Sequence, residues 1–127
     1  MRLFLSLPIM IFVVLVSSSG WCAESSEGEV NVFVSGQGGY HTYRIPAIIR
    51  TQKGSLIAFA EARKSGGGDS GNIDLVYKRS FDGGQSWSEM KVLWDDGANT
   101  CGNPCPVVDE RSGRILLPLT WNDGDDH

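Results

Sequence analysis

The stretch IDLVYKRSFDGGQSW, residues 73–87, carries the clearest structural signals in the chain. From Ile73 to Lys78, Ile, Leu and Tyr alternate with Asp, Val and Lys, which is the two-residue period of a half-buried β-strand. The Asp82-Gly83-Gly84 sequence predicts a tight turn, because glycine adopts the backbone angles that turns need. Trp87 to Leu93 is predicted as the strand that pairs back across this turn. The stretch therefore predicts a β-hairpin.

Short apolar runs separated by turn-forming residues extend in both directions from this hairpin. They predict five further strands: Val32–Val34, Tyr43–Ile49, Leu56–Glu61, Pro106–Val108 and Arg114–Thr120. No stretch has a convincing helical period, and the residues from Trp121 onward are predicted as a loop. The pattern indicates an all-β fold, either a sheet, a sandwich, a barrel or a propeller, and periodicity alone does not choose among them.

The first twenty residues differ from the rest of the chain. A basic start, an apolar run from Leu3 to Val16 and small residues up to Gly20 predict a secretory signal peptide over residues 1–20. The run is too short for a permanent membrane span, so no stable membrane anchor is predicted. Residues 21–30 are predicted as a short polar lead-in. The protein is expected to be exported, to a periplasmic, extracellular or lysosomal location depending on the host.

Composition limits the remaining 107 residues to one small domain. The full chain has 11 basic and 15 acidic residues, and removal of the leader, which contains Arg2 and no acid, leaves a net charge of −5. No basic stripe is present, so no nucleic-acid partner is predicted. Cys101 and Cys105 could form a disulfide in an oxidising compartment, with Cys22 left over. No metal site is predicted, because the sequence has no second pair of Cys or His residues to complete a set of ligands with Cys101 and Cys105.

Residues 80–87 resemble the Asp box of BNR repeats, with serine in place of the usual threonine at Ser86. In this motif Asp82 can accept hydrogen bonds from nearby backbone amides, Gly84 permits a positive φ, and Trp87 can pack against the sheet. Ser80, Asp82, Gly84 and Trp87 are therefore expected to form a structural turn rather than a catalytic site.

Three further segments resemble sialidase motifs in the order found in that family. Tyr43-Arg44-Ile45-Pro46 resembles the Phe/Tyr-Arg-Ile-Pro motif, and LIAFAEAR, residues 56–63, is similar to the family segment LLAFAExR. Residues 63–69 resemble the loop that carries the family's catalytic aspartate. The resemblance covers roughly Val32 to His127, and the chain is identified as a member of the sialidase (exo-alpha-sialidase, or neuraminidase) family.

The resemblance implies the N-terminal part of a six-bladed β-propeller, about one blade and part of the next, over residues 31–127. The chain is expected to be truncated at its C-terminus, because a propeller active site assembles from loops of several blades. In the family, the tyrosine nucleophile, its glutamate partner and two further arginines come from later blades. The piece alone is therefore expected to be inactive.

The resemblance also implies roles for particular residues. Arg44 would be one of three arginines that bind the substrate carboxylate, since a guanidinium presents a planar, permanently charged fork to an anion. Arg63 would support the same anion or hold Asp69, and Asp69 would be the general acid/base. Asp74 is the alternative to Asp69, although its place in an alternating strand favours a structural or edge role. Asn103 would shape the sugar pocket, or belong to a proline-stiffened loop.

For the whole protein, the resemblance implies retaining, exo-acting hydrolysis of terminal α-linked sialic acid. The substrates would be glycoproteins, glycolipids or oligosaccharides, and no cofactor is implied because arginines bind the carboxylate. A general acid needs a raised pKa, which burial in a cleft supplies and neighbouring arginines oppose. The alternatives are a trans-sialidase, and a non-catalytic Asp-box propeller that binds carbohydrate.

Overall fold

The computed structural model describes residues 28–126, so the predicted leader, most of the lead-in and Cys22 lie outside it. The described residues form eight β-strands and no helix, which confirms the all-β prediction. The strands are β1 (Thr42–Arg50), β2 (Leu56–Arg63), β3 (Ile73–Ser80), β4 (Lys91–Trp94), β5 (Thr100–Gly102), β6 (Val107–Val108), β7 (Ile115–Leu116) and β8 (Thr120–Asn122). Within residues 28–126, no helix is long and apolar enough to cross a membrane.

The long strands form one sheet in sequence order. β1 pairs antiparallel with β2, and β2 with β3. The free edge of β3 is shared, because β4 pairs antiparallel with one part of it and β5 runs parallel beside Ile73. β8 pairs antiparallel with β5, while β6 and β7 form a separate two-stranded hairpin. The unit β1–β4 thus has the four antiparallel strands of a propeller blade, and β5 begins the next part of the sheet.

The predicted strands in the middle of the chain are confirmed. Tyr43–Ile49, Leu56–Glu61 and Ile73–Lys78 lie within β1, β2 and β3. The hairpin across the Asp82 turn is also present, but its second strand, β4, is shorter and later than the predicted Trp87–Leu93. β6 and β7 likewise occupy only part of the two predicted C-terminal strands.

The strand predicted at Val32–Val34 is wrong, because this segment forms bends. The Phe33 ring stacks on Tyr43, with ring centroids 5.3 Å apart, and the Gln37 N–H donates to the Val34 carbonyl at 3.2 Å. The segment therefore covers a face of the sheet and does not pair along its edge.

Two C-terminal features also differ from the prediction. β5, with the sequence Thr-Cys-Gly, was not predicted, since three residues without an apolar run give no periodic signal. Trp121 and Asn122, predicted as loop, belong to β8 and pair with Cys101 and Thr100 of β5. Their pairing depends on a partner strand about twenty residues away, which the local sequence does not show.

The first half of β3 is fully buried, so the half-buried prediction is wrong there. Ile73, Asp74, Leu75 and Val76 have almost no exposed surface. β3 lies in the centre of the sheet and both of its faces are covered. One face contributes to a core cluster formed by Tyr40, Ala60, Ala62 and Val76, against which Phe33, Tyr43 and Met90 pack.

The Asp-box residues lie in one turn between β3 and β4. The Ser80 hydroxyl donates to Asp82 Oδ1 at 2.8 Å and accepts from the Gly84 N–H at 2.8 Å. The Ser86 N–H donates to Asp82 Oδ1 at 2.9 Å, and the Trp87 indole N–H donates to the Gly84 carbonyl at 3.0 Å. The Ser86 hydroxyl also donates to Asp82 Oδ2. The hydrogen bonds that Asp82 accepts hold its pKa far below its ordinary range, and the one from the Ser86 hydroxyl is the largest cause.

Candidate functional site

Arg44 lies beside an irregularity in β1. Arg44 pairs with Glu61 of β2, and the next pair along the strand is Ala47 with Phe59. β1 thus has one extra residue between these pairs, which is a β-bulge at Ile45-Pro46. Ile45 has a φ of +49°, a region that a β-branched residue rarely adopts. Such backbone strain concentrates at functional sites, where the surrounding structure holds it in place. The bulge and the positive φ thus lie immediately after Arg44.

Two arginines converge on one carboxylate. Arg44 Nη1 lies 2.9 Å from Asp69 Oδ1, and Arg63 Nη1 lies 2.8 Å from the same oxygen. The side chain of Arg63 is 3% exposed, whereas those of Arg44 and Asp69 are 44% and 79% exposed. Asp69 therefore sits over one buried and one accessible guanidinium group.

The glycine-rich loop, residues 64–72, presents carbonyl groups to the same two arginines. Arg44 Nη1 donates to the Gly67 carbonyl at 2.9 Å, and Arg63 Nη1 donates to it at 2.7 Å and also to the Gly68 carbonyl. The base of the loop is closed by the Lys64 N–H, which donates to the Asn72 carbonyl at 3.1 Å.

The two arginines decide the electrostatics of Asp69. The hydrogen bond from Arg63 is the largest cause that holds the pKa of Asp69 below its ordinary value, followed by the charges of Arg44 and Arg63. Burial contributes little, because Asp69 is exposed. Among the described residues, the two arginines therefore lower the pKa of Asp69 more than desolvation raises it, whereas a general acid needs a raised pKa. Burial acts to lower the pKa of Arg63, but hydrogen bonds to Glu61 and Asp69 outweigh it and raise that pKa.

Glu61 is a buried member of the site that the sequence did not single out. Its Oε2 accepts hydrogen bonds from Arg63 Nε at 3.1 Å and from Arg63 Nη2 at 2.5 Å. The sequence does contain a sign of this role, because Glu61 is an acidic residue in an otherwise apolar strand. It lies two positions before Arg63 and hence on the same face of β2.

Asn103 follows β5 and meets the site through its backbone. Its N–H donates to Glu61 Oε1 at 2.8 Å, while its side-chain amide donates to Thr120 Oγ1 at 2.9 Å. Its φ is +51°, a left-handed conformation that asparagine tolerates better than most residues. The structure therefore brings the Asn103 backbone to the arginine cluster, and the side chain lies against β8.

Asp74, the alternative acid/base candidate, is not accessible. It is fully buried in the centre of the sheet, so of the expected structural or edge role, the edge position is wrong. It pairs with Ala62, so its side chain lies on the opposite face from Arg63. The Tyr40 hydroxyl donates to Asp74 Oδ2 at 2.5 Å, and Lys64 Nζ lies 3.3 Å from the same oxygen. Burial and this hydrogen bond raise the pKa of Tyr40.

Cys101 and Cys105 are free thiols; Cys101 is buried and Cys105 is exposed. Among residues 28–126, no group of three or more His, Cys, Asp or Glu side chains is arranged to hold a metal ion. The polar chemistry of this part of the chain thus centres on Arg44, Arg63 and Asp69.

Comparison with known proteins points to one family. Over 90 residues the chain is 44% identical to an exo-alpha-sialidase of Aspergillus fumigatus, a match covering 66% of this chain and 22% of that protein. Over 92 residues it is 42% identical to an exo-alpha-sialidase of Arthroderma benhamiae, covering 68% and 22%. Among solved structures, a Hadza microbial sialidase superposes with a TM-score of 0.67 at 33% identity, covering 72% of this chain and 20% of that one. No protein-family model matches the chain. The chain spans about one fifth of the length of these relatives.

Proposed function

The chain belongs to the sialidase family, and from this we propose that the whole protein is a glycoside hydrolase that releases terminal α-linked sialic acid. The described residues have the sheet structure of part of a sialidase propeller. The observation that carries the proposal is the convergence of Arg44 and Arg63 on Asp69, at 2.9 and 2.8 Å. These contacts support the three residues that the resemblance implies.

Arg44 is proposed to bind the substrate carboxylate. Its guanidinium group is charged at every relevant pH, and nearly half of the side chain is exposed. A planar anion can therefore approach it without any change in the buried Arg63. The hydrogen bonds would be charge-assisted, the stronger class of hydrogen bond in proteins.

Asp69 is proposed to act as general acid and then as general base. It would protonate the leaving glycosidic oxygen and later take a proton from the attacking water. A carboxylate bound to Arg44 would neutralise part of the positive field that lowers the pKa of Asp69. Substrate binding would thus raise the pKa of Asp69 toward the range that a general acid needs.

The other roles follow from the same cluster. Arg63 is proposed to hold Asp69 in place, since its buried guanidinium reaches both the carboxylate and the loop carbonyls. Asn103 is proposed to shape the sugar pocket where its loop meets Glu61. Substrates would be sialylated glycoproteins, glycolipids or oligosaccharides. Residues 1–20 are proposed to direct export of the protein.

The described residues alone are proposed to be inactive. Family members place the tyrosine nucleophile and its glutamate partner in later blades, and this chain covers about one fifth of its relatives. Tyr40 belongs to the buried core cluster and Tyr43 packs against it, and burial raises the pKa of both phenols, which opposes a nucleophilic role.

A chimera tests the proposal. Residues 31–127 would replace the matching segment of the Aspergillus fumigatus relative, and hydrolysis of a fluorogenic sialoside would be measured. The expected result is turnover that is lost in the Asp69→Ala variant, with Glu89→Ala, an exposed acidic residue, as the control. A folded chimera that binds a sialoside without hydrolysing it would favour the carbohydrate-binding alternative, and transfer to a sugar acceptor would favour a trans-sialidase.

A further inference from the structure

Glu61 lies buried between two segments that are far apart in sequence. Its side chain is 4% exposed, in the strand next to β3. The loop that carries Asp69 begins three residues after it, and the turn at Asn103 is 42 residues away. The carboxylate touches both, directly at Asn103 and through Arg63 at the loop.

One carboxylate oxygen sets the orientation of Arg63. Glu61 Oε2 accepts from Nε and Nη2, which together form one edge of the guanidinium group. The remaining nitrogen, Nη1, then points to Asp69 and the carbonyls of Gly67 and Gly68. Because the guanidinium group is planar and rigid, fixing one edge fixes the direction of the other donors.

The second oxygen fixes the chain after β5. Glu61 Oε1 accepts from the Asn103 N–H at 2.8 Å. This approach needs glycine at position 102, because a Cβ there would lie 2.5 Å from Oε1. The positive φ of Asn103 turns the chain immediately afterwards. The two segments are thus connected through a single buried side chain.

We propose that Glu61 is a positioning residue, which orients Arg63 so that the Asp69 loop and the Asn103 turn are held in one fixed arrangement. This inference rests on the proposed function to the extent that Asp69 is the acid/base. A buried ion pair contributes little net stability compared with apolar side chains of similar volume. Its advantage here is directional, since a catalytic group must be held within a fraction of an ångström of its working position.

Glu61→Gln is the most selective substitution. Glutamine has nearly the same shape, but its amide has only one oxygen, so an N–H group must face either Arg63 or the Asn103 N–H. One of the two connections is lost, and Arg63 is no longer held along its edge. Gly102→Ala disturbs the same carboxylate from the opposite side and leaves every charge in place. Glu89→Gln, at an exposed position on the turn side of β4, is the matched control.

The test is a titration of the aspartate carboxyl groups in the chain, followed by carbon-13 NMR. In the wild type the Asp69 midpoint should lie below the ordinary value of about 4. Gly102→Ala, which changes no charge, should move this midpoint upward, while Glu89→Gln leaves it unchanged. Glu61→Gln also removes a negative charge beside Arg63, and this loss alone lowers the pKa of Asp69, so Gly102→Ala decides the test. The low midpoint of Asp82, in the Asp-box turn, reports whether the fold is intact.

The outcomes separate this inference from the hydrolase proposal, because the titration needs no enzymatic activity. An upward shift of Asp69 with Asp82 unchanged supports a positioning role. An unchanged Asp69 midpoint in Gly102→Ala, with Asp82 again unchanged, overturns it even if the chimera is an active sialidase. In that chimera, Glu61→Gln should lower kcat more than it changes KM, since Asp69 acts in the chemical step and Arg44 binds the substrate.

Discussion

Gly102 packs so closely against Glu61 that a Cβ at position 102 would lie 2.5 Å from the carboxylate oxygen Oε1. The same oxygen accepts the hydrogen bond from the next residue, Asn103. Glycine is therefore favoured at position 102 by the close approach of a buried carboxylate. Its backbone conformation gives no separate reason, because its φ is not in the left-handed region.

Gly102→Ala should destabilise the chain by about 1–3 kcal/mol, the usual cost of forcing extra volume into a packed site. Gly66→Ala is the matched control, because a Cβ at Gly66 meets nothing within 4 Å. That substitution should be neutral or stabilise by roughly 0.4–1 kcal/mol through the unfolded state. Urea denaturation of both variants checks the difference, and equal midpoints would contradict the packing described at Gly102.

Asp82→Asn should lower thermal stability at neutral pH. The folded state holds the pKa of Asp82 below its unfolded value of about 4, so the ionised carboxylate stabilises the fold at higher pH. That contribution is complete above pH 4 and is lost as the pH falls through the folded pKa. The difference in Tm between wild type and variant should therefore shrink in acid. A constant difference across the pH range would argue against the Asp82 contacts.

Native alkylation should distinguish the two described cysteines. Burial, followed by the charges of Asp96 and Asp74, raises the pKa of Cys101, so its reactive thiolate is scarce. Cys105 is exposed. Iodoacetamide should label Cys105 in the folded chain and Cys101 only after denaturation, as read by peptide mass spectrometry. Recovery of a peptide with a Cys101–Cys105 disulfide would show that the oxidised protein differs from the structure here.

Residues 21–127 alone should not hydrolyse a fluorogenic sialoside. Part of a propeller leaves apolar surface uncovered, and Phe81 is 77% exposed while Val92, Leu93 and Leu116 are also exposed. The purified chain should therefore bind a hydrophobic dye such as ANS and show no turnover. Hydrolysis above the rate of an Asp69→Ala control would disprove the inactivity proposed for this part of the chain.

Much of the fold was predictable from local patterns. β1 and β2 contain short apolar runs, β3 begins with an alternating pattern, and turn-forming residues follow β1 and β2. The short strand β5 was not predictable, because it forms only by pairing with β3 and β8. Val32–Val34 shows the opposite error, since its apolar residues cover a face of the sheet.

For the proposed site, the sequence suggested three residues, and their contacts and charges were only partly predictable. The resemblance selected Arg44, Arg63 and Asp69, and the structure brings all three together. The bridge from Glu61 to Asn103 was not visible, because it depends on the relative positions of two strands about forty residues apart. The lowered pKa of Asp69 was also uncertain from sequence, since the outcome depends on exposure as well as on nearby charge.

The most direct test of the account is the effect of Arg44→Ala on kcat/KM for a fluorogenic sialoside in the chimera. Arg50→Ala, an exposed arginine at the far end of β1, serves as the control. Loss of charge-assisted hydrogen bonds to a carboxylate should lower kcat/KM roughly 10- to 100-fold for Arg44→Ala, with little change for Arg50→Ala. If both variants retain the activity of the parent chimera, Arg44 does not bind the substrate and the proposed site is wrong.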